Sequence, residues 1–270
     1  MCCLFLAASS TVAIAQTNVV DLVNPIIGTN GMGHTFPGAC VPFGLVQLSP
    51  DTDTIPHNVD GKYQPRSYEY CAGYQHKDSS IVGFSHTHFS GTGHSDLGDI
   101  LIMPTTGTLK LNPGTATNPD GGYRSRFSHD TEISRPGYYE VMLADYGVKA
   151  QLTTTQRAGI HKYTYPTNSE NQRIILDMIH GIYNYDGKVL WTNIRVENDT
   201  LVTGYRITNG WARTNYTYFA MSFSKPITHY GCEEKAKVNY RGGYAKFNMK
   251  ENFPDIGGRK IVAYFDFDPK

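Results

Sequence analysis

The sequence predicts a single large all-β domain, a sandwich or a barrel. Three observations carry that prediction. Short β-branched or aromatic runs follow one another beyond residue 107, turn signals separate them, and no window shows sustained helical periodicity with caps. A length of 270 residues suits one domain of that kind.

Taken in order, the predicted strands are 138–143, 148–155, 160–165, 173–179, 189–196, 201–208, 216–223, 235–240, 244–249 and 260–267. Alternation is plain where Thr217, Phe219, Met221 and Phe223 oppose Tyr216, Tyr218, Ala220 and Ser222. Turns are predicted at Asp145-Tyr146-Gly147, Asp186-Gly187, Glu197-Asn198-Asp199, Arg241-Gly242-Gly243 and Asp255-Ile256-Gly257-Gly258. The stretch 112–128 is the least regular, and no internal repeat or low-complexity segment is visible.

Upstream, two segments carry the functional signal. Residues 24–52 pack five glycines, His34 and several prolines into a stretch too irregular for helix or strand. Disorder is excluded because Phe36, Val41, Phe43, Leu45, Val46 and Leu48 need burial. A long ordered loop on a rigid scaffold is a common carrier of function, and also a common structural feature. The second segment, 79–104, holds His86, His88, His94, Asp96 and Asp99 within fourteen residues. If 81–89 is extended, His86 and His88 share one face, and the Gly91-Thr92-Gly93 turn brings His94 and both carboxylates close. Any one of these histidines reads as structural. Together with the two aspartates they read as a site for a metal or for sugar hydroxyls.

Composition narrows the class. Basic and acidic side chains number 24 each, so no net field draws the chain to nucleic acid or to an anionic membrane. Nineteen tyrosines and twelve phenylalanines suit stacking on sugar rings as well as sheet packing. Residues 2–15 form a short apolar run, and Ala13-Ile14-Ala15 has a small-x-small cleavage pattern, so residues 1–16 read as a partial signal peptide and 17–270 as the domain. The run is too short to span a bilayer, and no other segment is apolar enough. Cys40, Cys71 and Cys232 remain after the signal: an odd number, at no zinc spacing. Cys40 and Cys71 are expected near one another or near the site. The glycines of 28–33 and 91–93 are not phosphate cradles, because no helix N-terminus follows them.

The two upstream segments identify a family. Gly33-His34-Thr35-Phe36-Pro37-Gly38-Ala39, Pro42-Phe43-Gly44 with Gln47-Leu48-Ser49-Pro50-Asp51-Thr52, Gly83-Phe84-Ser85-His86-Thr87-His88 and Asp96-Leu97-Gly98-Asp99-Ile100 resemble the N-terminal domain of glycoside hydrolase family 92, the bacterial exo-acting α-mannosidases. The match runs through 24–53 and 71–107 and is nearly uninterrupted; residues 108–270 fit by strand pattern. The resemblance implies an antiparallel, supersandwich-like β-sandwich packed against a larger C-terminal helical barrel, which is missing here. It implies that the barrel holds the acid, the base and a calcium ion (Ca2+), and that terminal mannose is removed from glycans with inversion, α-1,2-linked mannose being the expected case. It also implies export to the periplasm or cell surface.

On that footing His34, Tyr70, His86, His88, His94 and Asp96 are the expected substrate-binding residues in this chain. The catalytic pair is not assigned here, although Asp51, Asp53, Glu69, Asp78, Asp96 and Asp99 all lie in matching segments. Two departures bear on linkage. Tyr68-Glu69-Tyr70-Cys71-Ala72-Gly73-Tyr74 has phenols where the family often has Trp-x-Trp, and His94 stands where Cys or Gly is commoner. The closing Phe265-Asp266-Phe267-Asp268-Pro269-Lys270 reads as a strand broken off in mid-domain. Two rival readings are a non-catalytic carbohydrate-binding module and a metalloprotein built on His86, His88 and His94.

Overall fold

The computed structural model describes residues 18–91, 96–236 and 252–269. Its centre is a seven-stranded antiparallel sheet. In spatial order the strands are Ala39–Cys40, Gln47–Asp51, Gly83–Ser85, Leu101–Thr105, Gln172–Asp177, Ile261–Phe267 and Ile227–Glu234. A four-stranded sheet covers each face: Ile133–Arg135, Tyr138–Leu143, Val148–Thr154 and Gly159–Thr164 on one side, Val189–Val196, Leu201–Thr208, Asn215–Ser222 and Asp255–Gly258 on the other. The sandwich is therefore three sheets deep.

The two cores divide the central strands residue by residue. Leu101, Met103, Ile175, Val262 and Tyr264 pack with Tyr139, Val141, Leu143, Val148, Ala150 and Leu152. Their neighbours Ile102, Ile174, Leu176, Ala263 and Phe265 pack with Ile194, Val202 and Ile256. Period-two alternation sends successive side chains to opposite faces, and here both faces are covered. That is why the central strands Leu101–Thr105 and Gln172–Asp177 are buried at every position, whereas Tyr138–Leu143 and Val148–Thr154 alternate between buried and half-buried residues.

Predicted and observed strands agree at Tyr138–Leu143, Val189–Val196 and Leu201–Thr208. Asp255–Gly258 overturns a prediction: it is an edge strand on Thr192–Arg195, not a turn. Gly257 fits there because a Cβ would stand 3.3 Å from the Trp191 ring, so a residue suggestive of a turn is instead a point of close approach. Ile227–Glu234 was not anticipated, since Gly231 and two glutamates interrupt its pattern. The predicted strand 244–249 and most of 235–240 lie outside the described residues, as do residues 1–17. Among the described residues helix is limited to the four-residue turn Arg66–Glu69 and three 3-10 turns, and none of it is long and apolar enough to cross a membrane.

Candidate functional site

The matching segments meet where the loops 24–46, 64–78, 86–99 and 178–188 approach one another. Their centre is Asp51, at the end of Gln47–Asp51 and fully buried. His88 Nε2 lies 2.8 Å from its Oδ1 and His180 Nε2 lies 2.7 Å from its Oδ2. Burial alone would raise the Asp51 carboxyl, but the charges and hydrogen bonds of His88 and His180 together outweigh it and hold the group well below the usual carboxylate range. His88 Nδ1 donates to the Gln47 carbonyl at 2.7 Å, so both of its ring nitrogens face oxygens that only accept. His180 is placed in turn by Asp177, whose Oδ1 accepts from the backbone N–H groups of Ile179 and His180.

A second buried network lies beside the first. Arg206 forks onto Asp99 Oδ1 at 3.0 and 2.6 Å and also donates to the carbonyls of Met178 and His180. Asp99 Oδ2 accepts from Thr87 Oγ1 at 2.8 Å. Lys188 is buried with its ammonium against the carbonyls of Ile182 and Leu97. Burial, with the Arg206 charge adding to it, pushes the Lys188 amine down to about 7. Neither Lys188 nor His180 was legible: a lysine after Asp186-Gly187 reads as a solvated turn, and His180 stands outside the matching segments.

The predicted site residues divide among these surroundings. His86 and His88 do not share a face, because the strand ends at Ser85. His86 Nδ1 donates to the Ile100 carbonyl at 2.7 Å, and its Nε2 meets His161 Nε2 at 3.0 Å. Tyr163 O–H closes that chain on His161 Nδ1 at 2.7 Å. Burial holds the His86 imidazole down to about 4, and it lowers His161 well below its ordinary value. All four ring nitrogens of His86 and His88 are thus engaged by different partners, which leaves the rival reading of a metalloprotein without two free imidazoles from this pair. His94 lies outside the described residues.

His34 is buried, adopts φ 55° and packs edge-on to the Tyr68 ring at 4.6 Å. Its Nε2 is buried without a hydrogen-bond partner among the described residues. Burial lowers its imidazole, against an opposing hydrogen bond to the Gly91 backbone. Tyr70 is buried and donates to Asp78 Oδ1 at 3.1 Å. Asp96 accepts from the backbone N–H groups of Trp211 and Ala212 at 2.8 and 3.1 Å, fixing the loop that carries the exposed Trp211. Ile100 and Tyr183 join His34 in the left-handed region, at φ 56° and 54°. For a β-branched residue such as Ile100 this is a strained conformation, and such strain collects at functional sites.

The six carboxylates of the matching segments all have partners. Asp51, Asp96 and Asp99 are accounted for above, Asp53 pairs with buried Arg124, Glu69 with Lys77, and Asp78 accepts from Tyr70 through Oδ1, its buried Oδ2 having no hydrogen-bond partner among the described residues. Cys71 is buried beside Ile182 and Tyr183, Cys40 is exposed, and no disulfide joins the three cysteines of the described residues.

Comparison with known proteins matches this architecture. The family model described as the glycosyl hydrolase family 92 N-terminal domain matches residues 22–270. A solved α-mannosidase of that family from Bacteroides thetaiotaomicron, in complex with mannoimidazole, superposes with a TM-score of 0.78 at 40% identity, over 93% of this chain and 30% of that one. An inverting family 92 mannosidase from the same organism gives 0.67 at 25% identity, over 96% of this chain and 30% of that one. A secreted glycosidase of Arthroderma benhamiae is 29% identical over 170 residues, which is 60% of this chain and 19% of that protein. The chain thus spans about a third or less of the length of these relatives. With the family model covering all but the first 21 residues, the chain belongs to glycoside hydrolase family 92, as its N-terminal domain.

Proposed function

We propose that this chain is the N-terminal part of an exported, inverting, exo-acting α-mannosidase, and that it builds one wall of the mannose pocket without supplying the acid and base. Inversion needs one carboxylic acid at the leaving oxygen and a second carboxylate to activate water, some 6.5–9.5 Å apart. The carboxylates of the matching segments are engaged in internal pairs and caps, so the reading assigns that pair to the remainder of the protein. The observation that carries it is His34: a buried ring on a strained backbone with an unsatisfied Nε2, which suits donation to, or acceptance from, a sugar hydroxyl. Tyr70 and Asp96 with its Trp211 loop complete the proposed wall; His94 lies outside the described residues. His86 and His88 support it from behind.

Ile27, Met32, Phe43, Leu45 and Phe89 are exposed on these same loops. A concentration of large apolar side chains marks an interaction surface. It fits packing against a C-terminal helical catalytic domain. Calcium is part of the proposal only for that remainder. Ca2+ takes six to eight oxygens, and the ligand cluster found among the described residues is two imidazoles with one carboxylate, which does not fit it. The α-1,2 preference and the mannose-containing glycan substrate are proposed on the family relationship.

The test is turnover of α-1,2-, α-1,3- and α-1,6-mannobiosides by the full-length protein, with the anomer of released mannose followed by NMR. His34→Ala should lower kcat/KM roughly 10- to 100-fold, the worth of one buried hydrogen bond, with an unchanged melting curve. Normal hydrolysis by that variant would remove His34 from the pocket. A second reading, a binding module, is favoured by the tyrosine ladder of half-buried Tyr205 with exposed Tyr218 and Tyr216, with centroids 5.6 and 6.3 Å apart. It predicts mannan affinity without turnover in the full-length protein.

A further inference from the structure

At the outer end of the 64–78 loop, His76 meets His129 and Glu132; each presents a ligating atom, all within 4.8 Å of one another. Sequence keeps them apart; the fold brings them together. His76 follows the buried Tyr74-Gln75 pair, and its N–H donates to the Thr29 carbonyl at 2.8 Å. His129 opens the 3-10 turn His129–Thr131, capped by Ser128, and Glu132 closes it. The i, i+3 spacing places His129 Nδ1 2.7 Å from Glu132 Oε2. The imidazoles of His76 and His129 lie face to face, with centroids 4.0 Å apart and planes tilted by 35°.

Two features separate this cluster from a chance surface group. The Glu132 side chain is only 3% exposed, and among the described residues its one ion-pair partner is the His129 imidazole. A buried carboxylate without a firm cation is costly. Glu132 is also aimed from behind: Tyr139 O–H donates to Oε1 at 2.6 Å, and Tyr74 O–H to Oε1 and Oε2 at 2.9 and 3.0 Å. Hydrogen bonds that orient a ligating carboxylate in this way are typical of metal centres.

We propose that His76, His129 and Glu132 bind one zinc-like divalent ion, with a fourth position left to water. Two imidazoles and one carboxylate match zinc and its neighbours and suit calcium poorly. The half-exposed His129 can close the remaining gap by a small rotation. Binding replaces the proton that His129 now shares with Glu132, and that proton leaves to solvent. The ion would act as a clip. It would tie the segment carrying Gln75, whose side chain holds both the N–H and the carbonyl of Gly31, to the first strand of the outer sheet, Ile133–Arg135. The loop bearing His34 would then be braced by metal.

The test is calorimetric titration of metal-free full-length protein with zinc chloride alone, with thermal unfolding in parallel. The wild type should take up one equivalent that His129→Ala and His76→Ala each lose, and saturating zinc should raise the wild-type transition by several degrees but not that of either variant. Calcium chloride should act on wild type and both variants alike, because the proposed calcium site lies in the remainder of the protein. The same zinc stoichiometry in wild type and both variants would overturn the proposal, as would a wild type that binds no zinc. Should His76→Ala fail to fold, the exposed His129→Ala decides the matter.

Discussion

The Asp51 carboxylate occupies the space a side chain at Gly73 would fill: a Cβ there would stand 1.9 Å from Asp51 Oδ1 and 3.1 Å from His88 Nε2. Gly73 also adopts φ 79°, and its carbonyl accepts from Thr52 N–H at 2.8 Å. The glycine of the 71–74 motif and the aspartate of the 47–52 motif are thus two halves of one packing arrangement. Gly73→Ala should cost roughly 2–4 kcal/mol, combining backbone strain with displacement of a buried ion pair. Chemical denaturation checks this; native stability in the variant would show that the carboxylate can move freely.

Asp51→Asn retains shape but removes the charge and sets an amide N–H2 against one of the two imidazoles, His88 or His180. A loss of about 3–5 kcal/mol is expected, the usual effect of breaking a buried pair from one side. The pH sign follows from a folded-state value below the unfolded one. The contribution of Asp51 is complete above the ordinary carboxylate range and is lost only as pH falls below it. The variant should therefore lose part of the wild type's acid unfolding below about pH 4.

The His86–His161–Tyr163 chain is satisfied with both rings neutral. Unfolded, these imidazoles take up protons near 6.5; folded, His86 does so only at about 4. Stability from this chain is full above about pH 6.5 and falls as pH drops towards 4, by about 3 kcal/mol at most for His86. His161→Phe should weaken that dependence. Equal differences in denaturation midpoint between pH 7 and pH 5 in wild type and variant would refute it.

Lys188 gives the opposite limb of the pH profile. Its folded amine titrates at about 7 and its unfolded amine at 10.5, so the unfolded chain holds the extra proton between those values. Stability should rise with pH across that window, by about 1.4 kcal/mol per pH unit at most. Lys188→Met should abolish the rise, which thermal melts at pH 7 and 9 would reveal.

The sequence by itself determined the all-β class, the strands between Tyr138 and Ser222 and the family, because these rest on local pattern; Gln47–Asp51, in a stretch read as irregular, was not legible. Alternation in Tyr138–Leu143 and the unbroken motifs around His34 and His86 are contiguous in the chain. It also held the clue to a doubly covered sheet, in the unbroken apolar run 261–265, but one run cannot say what covers it. Which histidine does what was decided only by tertiary structure. His86 and His88 are two residues apart yet serve different networks, since the strand ends at Ser85 and their partners, His161 and Asp51, come from other strands. His180 reaches Asp51 across 129 residues, and His76 meets Glu132 across 56. Hydrogen bonds and ligand sets join groups by position in space, and the order of residues along a β-chain does not encode that position until the sheets have stacked.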